Sequence, residues 1–62
     1  TEALIGRVGT VSETIDNLSK SGRVLIDGDQ WKAFSHNNEI IELNDQVEVI
    51  SIDSTIITVK KI

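Results

Sequence analysis

Arg23-Val24-Leu25-Ile26-Asp27-Gly28-Asp29-Gln30-Trp31-Lys32-Ala33-Phe34 is the stretch on which the fold turns. Two short alternating runs flank Asp27-Gly28, and Asp and Gly tolerate the positive φ that a two-residue type I′ turn imposes. Residues 23–26 and 30–34 therefore read as the strands of a β-hairpin. A turn of that length sets Val24 opposite Trp31, with Ile26 and Ala33 on the same face. Arg23, Leu25, Lys32 and Phe34 then point the other way. The first set is the expected core, with Trp31 as its buried anchor.

Outward from the hairpin, β-branched runs alternate with clusters of Gly, Asp, Asn and Ser, and no proline interrupts them. Residues 4–11 are the expected first strand, with Val8 in the core and Gly6 and Gly9 marking bends. Residues 12–21 read as a polar connection. Residues 46–52 and 55–60 form a second hairpin around Asp53-Ser54, with Val47 and Val49 in phase on one strand and Ile57 and Val59 on the other. Parity creates a conflict there. A two-residue turn would pair Ile50 with Ile57 and leave both valines outside, so a bulge near Val49-Ile50 is expected. Residues 35–44 start too polar for much helix, with Ile40, Ile41 and Leu43 expected to fold one turn beneath the sheet. Five short strands within 62 residues match an all-β barrel of OB or SH3-like type, whose closure removes the exposed edges that invite aggregation.

The inventory of side chains narrows the chemistry. Cysteine is absent and His36 is the sole histidine, so neither a thiolate zinc site nor a cysteine nucleophile is available. Ser35 beside His36 lacks a third orienting group, and Asp27 and Asp29 around Gly28 lack the further oxygens of a calcium loop. No catalytic, metal or cofactor residue is assigned. A net charge of −4 repels nucleic acid and anionic lipid and favours basic partners. Arg7, Lys20, Arg23 and Lys32 could line a modest basic strip, and Trp31 and Phe34, the only aromatics, fall on opposite faces. Single-stranded nucleic acid is therefore the alternative ligand rather than the leading one. Leu25 and Phe34 lie out of phase with the core on neighbouring strands. With Arg23 and Lys32 they form the candidate partner surface, to which Ile56 is a further apolar addition.

The runs Gly6-Arg7-Val8-Gly9-Thr10-Val11 and Leu18-Ser19-Lys20-Ser21-Gly22-Arg23-Val24-Leu25-Ile26-Asp27-Gly28-Asp29-Gln30-Trp31-Lys32-Ala33-Phe34-Ser35 resemble the C-terminal soluble domain of NfeD-like membrane proteins. Val47, Val49, Ile57 and Val59 continue the likeness over nearly the whole chain. Two departures are Lys20, where that family commonly has proline, and Ser54, near which it commonly has glycine. The resemblance implies a five-stranded Greek-key OB-fold as one domain, joined through its N-terminus to transmembrane helices and placed on the cytoplasmic face. It further implies a non-catalytic role beside stomatin-, prohibitin- or flotillin-type scaffold proteins, or a regulatory role in a membrane protease complex. Longer members carry a serine protease domain, which these residues do not encode. The start at Thr1 without an initiator methionine agrees with a piece of a longer protein, which is the expectation here.

Overall fold

The computed structural model describes residues 2–62; Thr1, where the chain starts, lies outside the described residues, as does the side chain of Glu2. Asp27 and Gly28 take φ values of 51° and 88°, the positive pair that a type I′ turn needs. Val24 pairs with Trp31 across the hairpin, and Arg23 pairs with Lys32. Its strands are β2 (Ser21–Ile26) and β3 (Asp29–Ser35). Around them stand β1 (Val8–Asp16), β4 (Gln46–Asp53) and β5 (Ile56–Lys61), with a 3-10 turn at Glu2–Leu4 before β1.

These strands close in the order β1-β2-β3-β5-β4, and β1 returns to β4 through Val8, Gly9 and Thr10. Neighbours are antiparallel except β3 and β5, which run parallel because residues 36–45 carry the chain across to β4 first. This is the five-stranded Greek-key order of an OB-type barrel.

Ten side chains fill the interior: Val11, Ile15, Val24, Ile26, Ala33, Ile41, Val47, Val49, Ile57 and Val59. The bulge expected near Val49-Ile50 is present. Val49 faces Val59 while Ser51 faces Thr58, so Ile50 is the extra residue, and its insertion keeps Val47 and Val49 facing inward. The turn itself sits one residue later than expected, since Asp53 pairs with Ile56 and Ser54 takes φ 61°.

Several expectations need correction. The first strand begins at Val8 rather than at residue 4, and it continues to Asp16 through what read as a polar connection. Two register shifts, between Val11 and Glu13 and between Glu13 and Asp16, let β1 bend sharply and still bury Ile15. Those shifts break the period of two, which is why the strand is invisible as an alternating run. Val8 is not core: Gly9 and Val11 face inward, so Val8 faces out opposite Glu48 and is 51% exposed. Nor is Trp31 the buried anchor. The close-packed interior is filled by Ala33 and by β-branched residues of the other four strands, and the indole packs against that core while remaining partly exposed. Ile41 alone of its trio is buried, in an antiparallel bridge with Ile15; Ile40 and Leu43 are exposed, and residues 36–45 contain no helix.

Closure rests on two glycines. A Cβ on Gly9 would lie 2.5 Å from Val24 Cγ1 and 2.8 Å from the Leu25 carbonyl oxygen. One on Gly22 would lie 2.9 Å from both the Ala33 carbonyl oxygen and the Ile15 Cα, at a φ of 141° that L side chains rarely adopt. Gly22→Ala is therefore expected to destabilise the domain by about 3 kcal/mol, and Ile15→Ala by roughly 2–5 kcal/mol. Urea unfolding followed through Trp31 fluorescence reads both. A loss below about 1 kcal/mol at Gly22 would show that the strands can separate without cost.

Candidate functional site

The outer face of the β2–β3 hairpin carries the four residues picked out by alternation. Arg23 and Lys32 form a cross-strand pair, and Lys32 is in register with Ile56 on β5, so the three make one row across the sheet. Leu25, 41% exposed, pairs with Gln30 on one side of that row. Phe34 lies on the other side, in register with Thr58. Leu25 and Phe34 therefore do not oppose each other directly. They flank a basic row, which makes the face mixed rather than a continuous apolar patch.

Lys32 ties the row together. Its Nζ lies 5.9 Å from the centroid of the Phe34 ring, a cation–π distance, and donates to the Lys20 carbonyl oxygen in the β1–β2 turn. The stem of Lys32 thus runs beside the aromatic ring while its charge stays at the surface. Arg23 Nε is 3.8 Å from Glu13, an exposed pairing that leaves the guanidinium open to other carboxylates.

Elsewhere the charges compensate one another. Arg7 pairs with Asp27, Lys60 with Glu48 at 3.8 Å, and Lys61 with Asp45 at 3.4 Å. Of the strip Arg7, Lys20, Arg23 and Lys32, two members thus have carboxylate neighbours. That strip offers little field to a phosphate backbone.

The end of the barrel holds a polar network that sequence reasoning passed over. Asn17, in the turn after β1, treats Ser35 as a strand partner: its Oδ1 accepts from the Ser35 amide at 3.0 Å and its Nδ2 donates to the Ser35 carbonyl at 2.9 Å. Nδ2 also donates to Asn38 Oδ1 at 2.8 Å. Ser35 is buried, and its Oγ donates to Asn37 Oδ1 and accepts from the Glu39 amide. His36 is exposed and holds β5 only through its amide, which donates to the Val59 carbonyl. Ser35 and His36 therefore face different ways. A run such as Asn17-Leu18-Ser19 signals a turn, yet nothing local in it announces a bond to a residue 18 positions away. Lys20 in the same turn takes φ 57°, a value proline's ring forbids, so the departure at this position changes the backbone.

Among the described residues no group of three or more acidic or histidine side chains converges to hold a metal ion, and no pocket is enclosed. No helix among them is long and apolar enough to cross a membrane. A closed OB-type barrel that offers outer faces is the architecture of a binding module. The chain belongs to the family described as "NfeD-like C-terminal, partner-binding domain", whose profile matches residues 1–61. It is similar to the membrane-bound protease PH1510 of Pyrococcus horikoshii, at 36% identity over 61 residues. That match covers 97% of this chain and 13% of the relative, so the chain spans about an eighth of the relative's length. Two solved structures share the fold. The C-terminal domain of stomatin operon partner protein 1510-C from P. horikoshii has TM-score 0.85 and 34% identity, covering 98% of this chain and 91% of that one. The soluble domain of a Corynebacterium glutamicum membrane protein implicated in regulation of membrane protease activity has TM-score 0.88 and 33% identity, covering 97% and 94%.

Asn17→Ala should strand the buried Ser35 amide and carbonyl and destabilise the domain by about 1–3 kcal/mol. Amide hydrogen exchange would then accelerate at Glu39 and Ile41 before it does in β4 and β5. Uniform acceleration across all strands would mean that Asn17 supports the whole barrel rather than the connection.

Proposed function

We propose that this domain binds a stomatin-, prohibitin- or flotillin-type scaffold protein while the rest of its own protein holds it at the membrane, on the cytoplasmic side. The partner-binding description of the family supports the general role. The finer reading rests on one observation, the basic Arg23–Lys32 row flanked by Leu25, Phe34 and Ile56. Arginine and aromatic side chains dominate the energetics of protein contacts, and a mixed face of this kind sets both orientation and affinity. The similar P. horikoshii domain belongs to a stomatin operon partner protein, which supports the partner class.

A tether strengthens such a contact. Two proteins confined to one membrane meet at a raised effective concentration, so a weak surface suffices where a free domain would need a tight one. A role in a membrane protease complex is the second reading, favoured by the names of the protease relative and of the C. glutamicum protein. In that case the barrel positions the complex and a separate part of the protein supplies the chemistry.

Leu25→Glu and Phe34→Glu are each expected to weaken binding to the soluble part of a stomatin-type protein by about tenfold or more, with the far-ultraviolet circular dichroism unchanged. Isothermal titration measures the affinity. Arg23→Glu should act chiefly on the association rate and reduce its dependence on salt. Unaltered affinity in both Leu25→Glu and Phe34→Glu would remove this face from the contact.

A further inference from the structure

The β1–β2 turn and the 36–45 connection are bonded together along β1, from Asn17 with Ser35 and Asn38 to Val11 with Asn44, and the turn touches the Arg23–Lys32 row only where Lys32 donates to the Lys20 carbonyl. The antiparallel bridge between Ile15 and Ile41 sets their registers, so Ile40 falls opposite Asp16 and Glu42 opposite Thr14 on the outer side. Leu18 is 97% exposed, Ile40 55% and Leu43 51%. Lone aliphatic residues on a surface need no explanation, but three on two mutually bonded segments do.

Their surroundings are mainly acidic, Lys20 in the β1–β2 turn being the basic exception. Residues 36–45 contain Glu39, Glu42 and Asp45 with no lysine or arginine, against a net charge of −4 for the chain. Asp45 is neutralised by Lys61, whereas neither Glu39 nor Glu42 has a basic partner among the described residues. Asp16 spends its oxygens on the Leu18 amide and the Ser19 hydroxyl, which holds Leu18 outward.

We infer that this end of the barrel is a second docking surface, and that its occupant is a cationic amphipathic segment of a partner protein. Leucine-like side chains of the segment would cover Leu18, Ile40 and Leu43, and its lysines or arginines would meet Glu39 and Glu42. Charge complementarity selects that occupant. A second copy docked end against end would bring like charge against like, a copy offering its Arg23–Lys32 row instead would form the dimer tested for below, and anionic lipid or nucleic acid would be repelled. The site is also rigid before binding, because Asn17 fastens the turn to Ser35 and Asn38. Little ordering is left for the partner to impose.

The test uses a synthetic helix-forming peptide of leucine and lysine, with leucines at the i, i+3, i+4, i+7 spacing of one helix face. Because the chain has no cysteine, Leu18→Cys and Leu25→Cys can each carry one photo-crosslinker. Capture of the peptide from position 18 and not from position 25 is expected. Fluorescence anisotropy should show binding weakened about tenfold by Ile40→Ser with Leu43→Ser, weakened further by salt, and reversed towards a leucine–glutamate peptide by Glu39→Lys with Glu42→Lys. Arg23→Glu should leave it intact, which separates this surface from the β2–β3 face. Equal crosslinking at both positions, or affinity indifferent to all four end substitutions, would overturn the inference. So would a dimer of the unmodified chain in sedimentation velocity that Ile40→Ser abolishes, since the patch would then belong to a second copy.

Discussion

How closely β1 can approach its neighbours is the constraint on which the rest of the structure depends. At Gly9 and Gly22 the backbone lies so near Val24, Leu25, Ile15 and Ala33 that no side chain fits. With those two gaps, and the register shifts that bend β1 between Val11 and Asp16, one strand serves two partners: its first residues pair with β4 and the remainder with β2. The sheet can then close on itself. Without that closure β1 and β4 would be bare edges, each a template for aggregation.

A barrel closed this tightly dictates where function can lie. Its interior is filled by aliphatic side chains, with Ser35 buried at the margin, so the indole of Trp31 packs partly exposed against the core and the charged groups lie on the outside. The β3–β4 connection, unable to form a helix, instead contributes Ile41 as a plug and fastens itself through Asn17 and Ser35. Both proposed faces are thereby mounted on a scaffold that has little freedom to deform. One is a basic row between apolar residues, and the other is an acidic rim around them. A domain with two faces of opposite character is suited to holding two elements of an assembly in a fixed relation.

The parts legible in the sequence were those governed by local chemistry. Asp27-Gly28 announced its turn, and the turn dictated the pairing of Val24 with Trp31 and the outward set Arg23, Leu25, Lys32 and Phe34. The conflict of parity between Val49 and Ile57 required a bulge, which Ile50 supplies. What stayed hidden depended on irregularity or distance. Ile15 is in phase with Val11, but Glu13 stands between them where unbroken alternation would bury a side chain, so the run reads as polar loop unless the bulges are known. Val8 is an apolar residue whose phase is fixed by its inward neighbours Gly9 and Val11, and a glycine in the inward position gives no apolar signal. Asn17 gave no sign of its bond to Ser35, since only the closed fold brings them together.

The central claim is that this barrel binds a protein partner through the outer face of β2 and β3. The most direct measurement is the amide NMR spectrum of the isotope-labelled chain, titrated with the soluble part of a stomatin-type protein and, separately, with a single-stranded oligonucleotide. The account predicts shifts clustered at Arg23, Leu25, Lys32, Phe34 and Ile56 with the protein and none with the oligonucleotide. Salt-sensitive shifts with the oligonucleotide alone would contradict it, and would mean that the unpaired lysines outweigh the acidic field of the chain.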